Sequence, residues 1–525
     1  MKIPLDRQAK TPIYLQIRDR ISHLIQTGHL ATDTQLPSIR TLARTVNVNK
    51  LTVLEAYSVL EADGLVRVKK GAGYFINPIN TSHLTNHPFD AARAKTGKFL
   101  DQSTDSFTGQ DTQRLLSHPQ SALGALHKGS FNPAQTVIIP TQGISAFSDI
   151  YAASLHSHTL EDYVDFGLGF PQPTGLDDLT RIARRAMKEA HTFFHPGDPQ
   201  GDLELRGQIS QLLIQQGLEI SPNHLLVTSG SMQSLSLLSA HFVSPSDWVI
   251  VEAPTYHGFL SILQQRGAQI IGIPMTPHGM NLDLLSRYLQ SHRPRLIYTM
   301  SSLQNPTGIT TSANHRRQLL SLAEEYDCLI VEDNAYEPLS FSTTPPPIKA
   351  FDTHHRVIYV GTFSKTLMPG LRVGYTAITG SQRQALIERK LLHDFHISTA
   401  SQVILKEYLS SGHYRRHLSK LRTLHRDRRD HMIEMLVRYF PTEVTWTVPN
   451  GGTFLWIQLP DALSLSNVCN AAIAQKVLVG SGAAFFPTQQ GYPAMRLNFS
   501  LPPDKTKRGI KVLGDILKQA MMATT

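Results

Sequence analysis

The sequence predicts a multidomain chain: a small helical head, a polar connector and a large three-layer α/β body. Three observations predict it. The length, 525 residues, exceeds that of one ordinary domain. Residues 1–78 hold three helical patterns followed by one alternating run. Beyond residue 140, short apolar runs alternate with helical stretches, as strands and helices do in a mostly parallel sheet.

Hydrophobic residues make up 41% of the chain and charged residues 17%, which describes a globular protein with ample material for a core. No apolar run approaches the ~18 residues of a membrane helix. The first ten residues, MKIPLDRQAK, have no apolar segment after their charges and do not read as a secretory signal. Cys328 and Cys469 sit in apolar contexts without CxxC or metal spacing, so they read as small buried hydrophobes, and no metal centre is expected. These features lead us to expect a cytoplasmic protein with no membrane partner. The net charge is +9, and residues 1–80 hold 11 Lys/Arg against 6 Asp/Glu. That asymmetry points to a polyanion as partner of the head.

In the head, Ile13, Ile17, Ile21, Leu24 and Ile25 recur at three- and four-residue spacing, so residues 12–28 read as a helix ended by Gly28. Ser38 can cap a second helix that turns Ile39, Leu42 and Ala43 inward. After a turn at Asn47 and Val48, a third helix runs from about Lys50 to Ala62. It offers Val53, Leu54, Tyr57, Val59 and Leu60 to the core, and Gly64 ends it. LVRVKKGAGYFI then alternates about a Gly-rich turn, as a β-hairpin does. Three helices and a basic hairpin make the winged helix-turn-helix plan, whose third helix enters the major groove while the wing meets phosphates.

The stretches PIYLQIRDRI, LPSIRTLA, LEADGLV and KKGAGYFI together resemble the GntR family of bacterial regulators over nearly the whole head. The resemblance implies that Ser38, Arg40, Arg44, Asn49, Lys50 and Thr52 face a double-stranded DNA operator, with Lys69, Lys70 and Gly71 in the wing. The family often has Ser-Arg where this chain has Asn49-Lys50. Lysine reaches phosphate or guanine but lacks the arginine fork, so the operator preferred can differ.

Residues 79–140 are rich in Ser, Thr, Asn, Gln, Asp and His, and periodicity fades. Such composition reads as a flexible tether, with a short helix near residues 114–126.

The body, residues 141–525, opens with an amphipathic helix over residues 144–155. Strands follow at HLLVTSG, DWVIVEAP, AQIIGIPM, RLIYTM, CLIVEDNAYE and VIYVGTFS. In such a sheet, function gathers at the carboxyl ends of the strands. The last of them runs into GTFSKTLMPGLRVG (361–374). Lys365 can form a Schiff base with an aldehyde, while Thr362, Ser364 and Arg372 can hold a phosphate beside it. Pyridoxal 5'-phosphate carries both groups. Alone, a Ser-Lys with a distant Arg would be a solvated turn, but the other strand ends converge on the same chemistry. The amides of Ser231 and Met232 open a helix that can grip phosphate, with Gln233 assisting. Tyr256 can stack on a pyridine ring. Asp333 can keep the pyridine nitrogen protonated, which makes the ring an electron sink. Asn305 and Tyr336 can tune the Schiff base, and Arg496 suits a substrate carboxylate.

This ordered series resembles the fold-type I, class I/II aminotransferases over residues 141–525. The resemblance implies a PLP-dependent transferase fold with a large subdomain at about 175–400 and a smaller α+β C-terminal subdomain at about 401–525. It implies that Lys365 carries the cofactor and shuttles a proton, and that Asp333 partners the ring nitrogen. Asn305 and Tyr336 would hold the ring oxygen, and Tyr256 would stack. Ser231, Met232, Gln233, Thr362, Ser364 and Arg372 would bind phosphate, and Arg496, with Gly169 nearby, would bind the amino-acid carboxylate. Members are homodimers, so HPGDPQG (195–201) is expected to help complete the partner's site. GntR head, long tether and aminotransferase-like body together resemble the MocR subfamily of regulators, which sense the cofactor or an amino acid or amine meeting it. Many of those have a bulky residue where this chain keeps Asn305. Two functions therefore stay open: a regulator with a cofactor-bound effector domain, and a working aminotransferase with an accessory head.

Overall fold

The computed structural model describes residues 3–6, 11–69, 73–77, 162–167, 169–170, 176–189, 195–487 and 491–523. They fall into two units, one on each side of the expected tether. The tether itself, the expected helices at 114–126 and 144–155, and the wing residues Lys70 and Gly71 lie outside the described residues.

The first unit has helices α1 (Ile13–Gln26), α2 (Ile39–Thr45) and α3 (Lys50–Ala62), and strands β1 (Val66–Lys69) and β2 (Gly73–Ile76). Ile17, Ile21, Leu24 and Ile25 bury one face of α1. Ser38 Oγ accepts from Thr41 N and starts α2, and Asn49 Oδ1 accepts from Leu51 N and starts α3. β1 and β2 pair antiparallel from Val66–Ile76 to Lys69–Gly73. The Tyr57 hydroxyl donates to Pro37 O (2.8 Å), tying α3 to the entry of α2. One expectation fails. α3 buries Val53, Ala56, Tyr57 and Leu60, while Leu54 faces solvent and Val59 is half-buried. A 3.6-residue period that starts at Val53 returns at 56, 57 and 60, which turns Leu54 outward.

The second unit is built on an eight-stranded sheet. After β3 (Val164–Asp165), which lies outside this sheet, its strands in chain order are β4 (Leu225–Thr228), β5 (Trp248–Ala253), β6 (Gln269–Thr276), β7 (Gly279–Met280), β8 (Leu296–Thr299), β9 (Leu329–Asp333), β10 (Val357–Thr362) and β11 (Gly374–Ala377). Their spatial order is β4-β11-β10-β9-β8-β5-β6-β7. The central pairs from β10 to β6 are parallel. All six strands expected from the sequence form. β11, four residues and too short to stand out, has no counterpart among them. It inserts antiparallel between β10 and β4 and folds the segment after Lys365 back toward Thr228.

Alternate residues of each strand join different apolar clusters. Val249, Val251, Leu296, Tyr298 and Val331 pack into one cluster, and Ile250, Ile297 and Ile330 into the other, so helices cover both faces. This is the three-layer arrangement expected. A smaller four-stranded antiparallel sheet follows. It comprises β12 (Thr445–Trp446), β13 (Phe454–Gln458), β15 (Gly480–Ser481) and β16 (Ala494–Asn498) and packs with helices His413–Tyr439 and Pro503–Met522. Its core also takes Val164 and Phe166 from the start of the body, where β3 pairs with β14 (Val477–Leu478). Residues 164–166 are therefore anchored in the smaller subdomain.

The outward position of Leu54 is tested by native-state hydrogen exchange of the α1–α3 amides in the full chain. Ile21→Ala, at a fully buried site, is expected to destabilise the head by about 3 kcal/mol. Leu54→Ala is expected to stay within about 0.5 kcal/mol.

Candidate functional site

The carboxyl ends of β4, β5, β8, β9 and β10 open on one cavity. Ser231, Met232, Tyr256, Asn305, Asp333, Tyr336, Ser364, Lys365 and Arg372, all singled out from sequence, line it. Phe170, Met300 and Ala335 join them, and carried no polar signal that could have marked them. The cavity has a wet end and a dry end: Arg372 is exposed, whereas Asn305, Asp333 and Tyr336 are buried.

At the wet end, helix Ser231–Phe242 starts at Gly230, which has φ +79° and no side-chain cap. Its first amides therefore stay available to an anion, and the helix dipole favours one there. Gly374 lets β11 come this close, since a Cβ on it would meet Gly230 C at 2.6 Å and Ser231 N at 2.8 Å. Arg372 donates to Ser229 O (3.0 Å) and lies along the same turn. Two of the residues expected at the phosphate are also tied to their neighbours. The Thr362 hydroxyl donates to Ser364 Oγ (3.2 Å) and accepts from Ser364 N (3.1 Å), so Thr362 orients Ser364 and does not line the cavity. The Gln233 amide accepts from Ser229 N and donates to Asp394 (both 2.6 Å), which fixes the turn and leaves one of its two N–H donors for a phosphate.

At the dry end, Tyr298, fully buried on β8 and missed from sequence, donates to Asp333 Oδ2 (2.9 Å). Burial pushes the Asp333 carboxyl up to about 6 against that hydrogen bond. Asp333 Oδ1 is buried and has no hydrogen-bond partner among the described residues. Lys365 Nζ donates to Gly169 O (2.6 Å) and sits over the Phe170 ring at 4.0 Å. Burial, then Arg496, pushes the Lys365 ammonium down to about 7, with Asp333 opposing.

Arg496, on β16 of the smaller subdomain, is buried. It donates to Asn305 Oδ1 (2.9 Å) and Gly167 O (2.8 Å), and its guanidinium lies 3.9 Å from the Phe454 ring. Burial lowers its pKa to about 10. Gly169 is near both groups, since a Cβ on it would lie 3.8 Å from Arg496 Nη2. A larger cavity of about 520 Å³ is lined by residues including Thr362, Glu337, Tyr375, Arg422 and Arg426. Among the described residues that line it there is no lysine to act as nucleophile, so the chemistry belongs to the first cavity.

In the head, the expected DNA-facing residues Ser38, Arg40, Arg44, Asn49, Lys50 and Lys69 are exposed, and Thr52 is half-buried. The oxygens of Ser38 and Asn49 are engaged as helix caps. The Lys69 ammonium lies 4.5 Å from the Phe75 ring and 4.0 Å from Asp33 Oδ1.

A sheet of this order, with a lysine after the β10 end and an aspartate at the β9 end, defines a fold-type I transferase whose cofactor is pyridoxal 5'-phosphate. The residues fit that group: the bare Asp333 Oδ1 suits a pyridinium N–H, and the uncapped helix start suits the phosphate. Comparison with known families agrees. Residues 161–513 match the family model described as aminotransferase class I and II, and residues 13–76 match bacterial regulatory proteins, gntR family. Aromatic-amino-acid aminotransferase 1 of Thermococcus litoralis is 36% identical over 68% of this chain and 87% of its own. The uncharacterized HTH-type transcriptional regulator YisV of Bacillus subtilis is 28% identical over 98% of both chains. The structure of the α-aminoadipate aminotransferase LysN from Thermus thermophilus, complexed with N-(5'-phosphopyridoxyl)-L-leucine, superposes with a TM-score of 0.67. It is 29% identical and covers 72% of this chain and 97% of its own. The chain belongs to the class I and II aminotransferase family and carries an N-terminal GntR domain, the two-part order of the MocR subfamily.

Two expectations follow. With a Lys365 pKa of about 7, the neutral amine dominates above that pH. Capture of free pyridoxal phosphate, followed by visible absorbance, should therefore speed up through pH 7 and level off above it. A rate still climbing at pH 10 would contradict the lowered pKa. Tyr298→Phe removes one partner of a buried carboxylate, worth about 1–3 kcal/mol. It is expected to weaken cofactor retention roughly ten-fold by equilibrium dialysis while Lys365 still reacts.

Proposed function

We propose that this chain is a pyridoxal-phosphate-dependent transcriptional regulator that binds operator DNA through its head and senses an amino acid or amine through its body. One observation carries the reading: a GntR domain and a cavity lined by Lys365, Asp333 and Arg372 occur in one chain. When bound, pyridoxal phosphate supplies an aldehyde for amines and a ring that accepts electrons. The rest is done by the protein. Ser231 and Met232 amides, Ser364 and Arg372 would hold the phosphate, and Tyr256 would stack on the ring. Asp333 would hold the ring nitrogen's proton, and Asn305 and Tyr336 would face the ring oxygen. Lys365 would hold the cofactor and move a proton, and Arg496 would take the ligand's carboxylate.

Two of these groups have carbonyl partners to exchange. Lys365 is bonded to Gly169 O and Arg496 to Gly167 O. Both carbonyls belong to the stretch that leads back along the chain to the head. A ligand that engages Lys365 and Arg496 competes with those bonds and so changes how that stretch is held. This is allostery only to the extent that the ligand binds the two arrangements differently. The active form is a homodimer in which residues 195–201 help complete the partner's site. The exposed apolar side chains of Leu203, Leu392 and Phe395 support a second copy. A second reading, a working aminotransferase, draws support from Asn305 beside Arg496 and from the Thermococcus relative.

The test is a titration of the cofactor-loaded full chain with D- and L-amino acids and ω-amines. The absorbance spectrum and binding to the DNA upstream of its gene are followed together. One amine shifting both, with no oxo acid released, is the expected result. Turnover to oxo acids with unchanged DNA binding supports the aminotransferase instead. Lys365→Ala is expected to abolish the visible band and the ligand response. Lys50→Ala is expected to weaken DNA binding roughly ten-fold and leave the band unchanged.

A further inference from the structure

The outward stripe of α3 begins with two leucines. Leu51 is 69% exposed and Leu54 40% exposed. They stand three residues apart on one face, followed along it by Glu55 and Ser58, which are also exposed. Packing within the head does not use them, because α3 buries Val53, Ala56, Tyr57 and Leu60. Leu51 is also fixed in place. Its amide donates to the Asn49 cap at 3.0 Å, which holds it in the first turn of the helix.

In a winged helix-turn-helix, the N-terminal residues of this helix contact base edges in the major groove. The surroundings are cationic: Lys50 adjoins Leu51, and Arg40 and Arg44 are exposed on α2. A groove lined by phosphates on both sides complements that charge. Within the major groove, the one apolar group among the base edges is the 5-methyl of thymine.

We propose that Leu51 and Leu54 are specificity-determining residues that read thymine by covering its 5-methyl group in the operator. The inference rests on the DNA-binding half of the proposed function. It implies an operator half-site with thymine at the positions beneath these two side chains. Lys50 is free to take a neighbouring guanine or phosphate.

The experiment uses the full-length, cofactor-loaded protein and a duplex selected by it from a random-sequence pool. Each thymine of the selected duplex is replaced in turn by deoxyuridine, which removes only the methyl. At one or two positions per half-site, binding is expected to weaken about four-fold, the value of one buried methyl. Leu51→Ala and Leu54→Ala are each expected to erase that sensitivity at one position. Leu51→Met, which restores apolar contact, is expected to keep it. Hydrogen exchange of α1–α3 checks that each variant stays folded. The proposal is overturned if no replacement changes affinity by more than about two-fold, or if the alanine variants keep the full uracil response. It is also overturned if Leu51→Ala alters only the oligomeric state, which would assign the leucines to a contact between copies. A pool from which no duplex is enriched would overturn the DNA-binding reading itself.

Discussion

The burial of Asp333 and Arg496, with Lys365 half-buried beside them, is the constraint on which the body of this protein depends. Lys365, Asp333 and Arg496 come from two different subdomains, and burial pushes each toward its neutral form. Each group has a specific partner. Tyr298 holds one oxygen of Asp333, Gly169 O accepts from Lys365, and Asn305 and Gly167 O accept from Arg496 between the rings of Phe454 and Phe485. Packing thus supplies most of the partners these groups need. Asp333 Oδ1 and Arg496 Nε are left buried without a partner among the described residues.

The sheet explains why these groups meet. Parallel strands deliver their carboxyl ends to one edge, and the β10–β11 hairpin folds Arg372 back beside the start of helix 231–242. Phosphate chemistry therefore gathers at an exposed helix start, and ring chemistry gathers where water is excluded. Polar side chains behind the lining do the positioning. Gln233 is tied to Asp394, and Thr362 is tied to Ser364.

The segment 162–170 links the two subdomains. Its strand residues pair with 477–478, its Phe166 packs in the smaller core, and its carbonyls at 167 and 169 accept from Arg496 and Lys365. Asn498 Nδ2 adds a bond to Phe170 O at 3.0 Å. A change of partner at Lys365 or Arg496 is thus felt first by this backbone.

Much of this was legible in the sequence, because local rules write it there. Alternating strands and helices gave the three-layer body, the cap Ser38 marked α2, and polar residues at strand ends marked the cavity. Lys365, Asp333, Tyr336, Tyr256 and Asn305 carry distinctive chemistry at fixed places relative to a strand, so their ordered series pointed to them where no single motif did. Only the tertiary structure decided the rest. Tyr298 reads as one more strand residue until β8 is seen beside β9, and Phe170, Met300 and Ala335 line the cavity without a polar mark. β11 is too short to announce itself and exists because β4 and β10 leave a place between them. Leu54 fits a core by composition, and the phase of its helix turns it outward. Sequence specifies what each residue can do within a few neighbours. Which distant residues share a low-dielectric space is set by strand order and helix phase, and these are settled when the whole core packs.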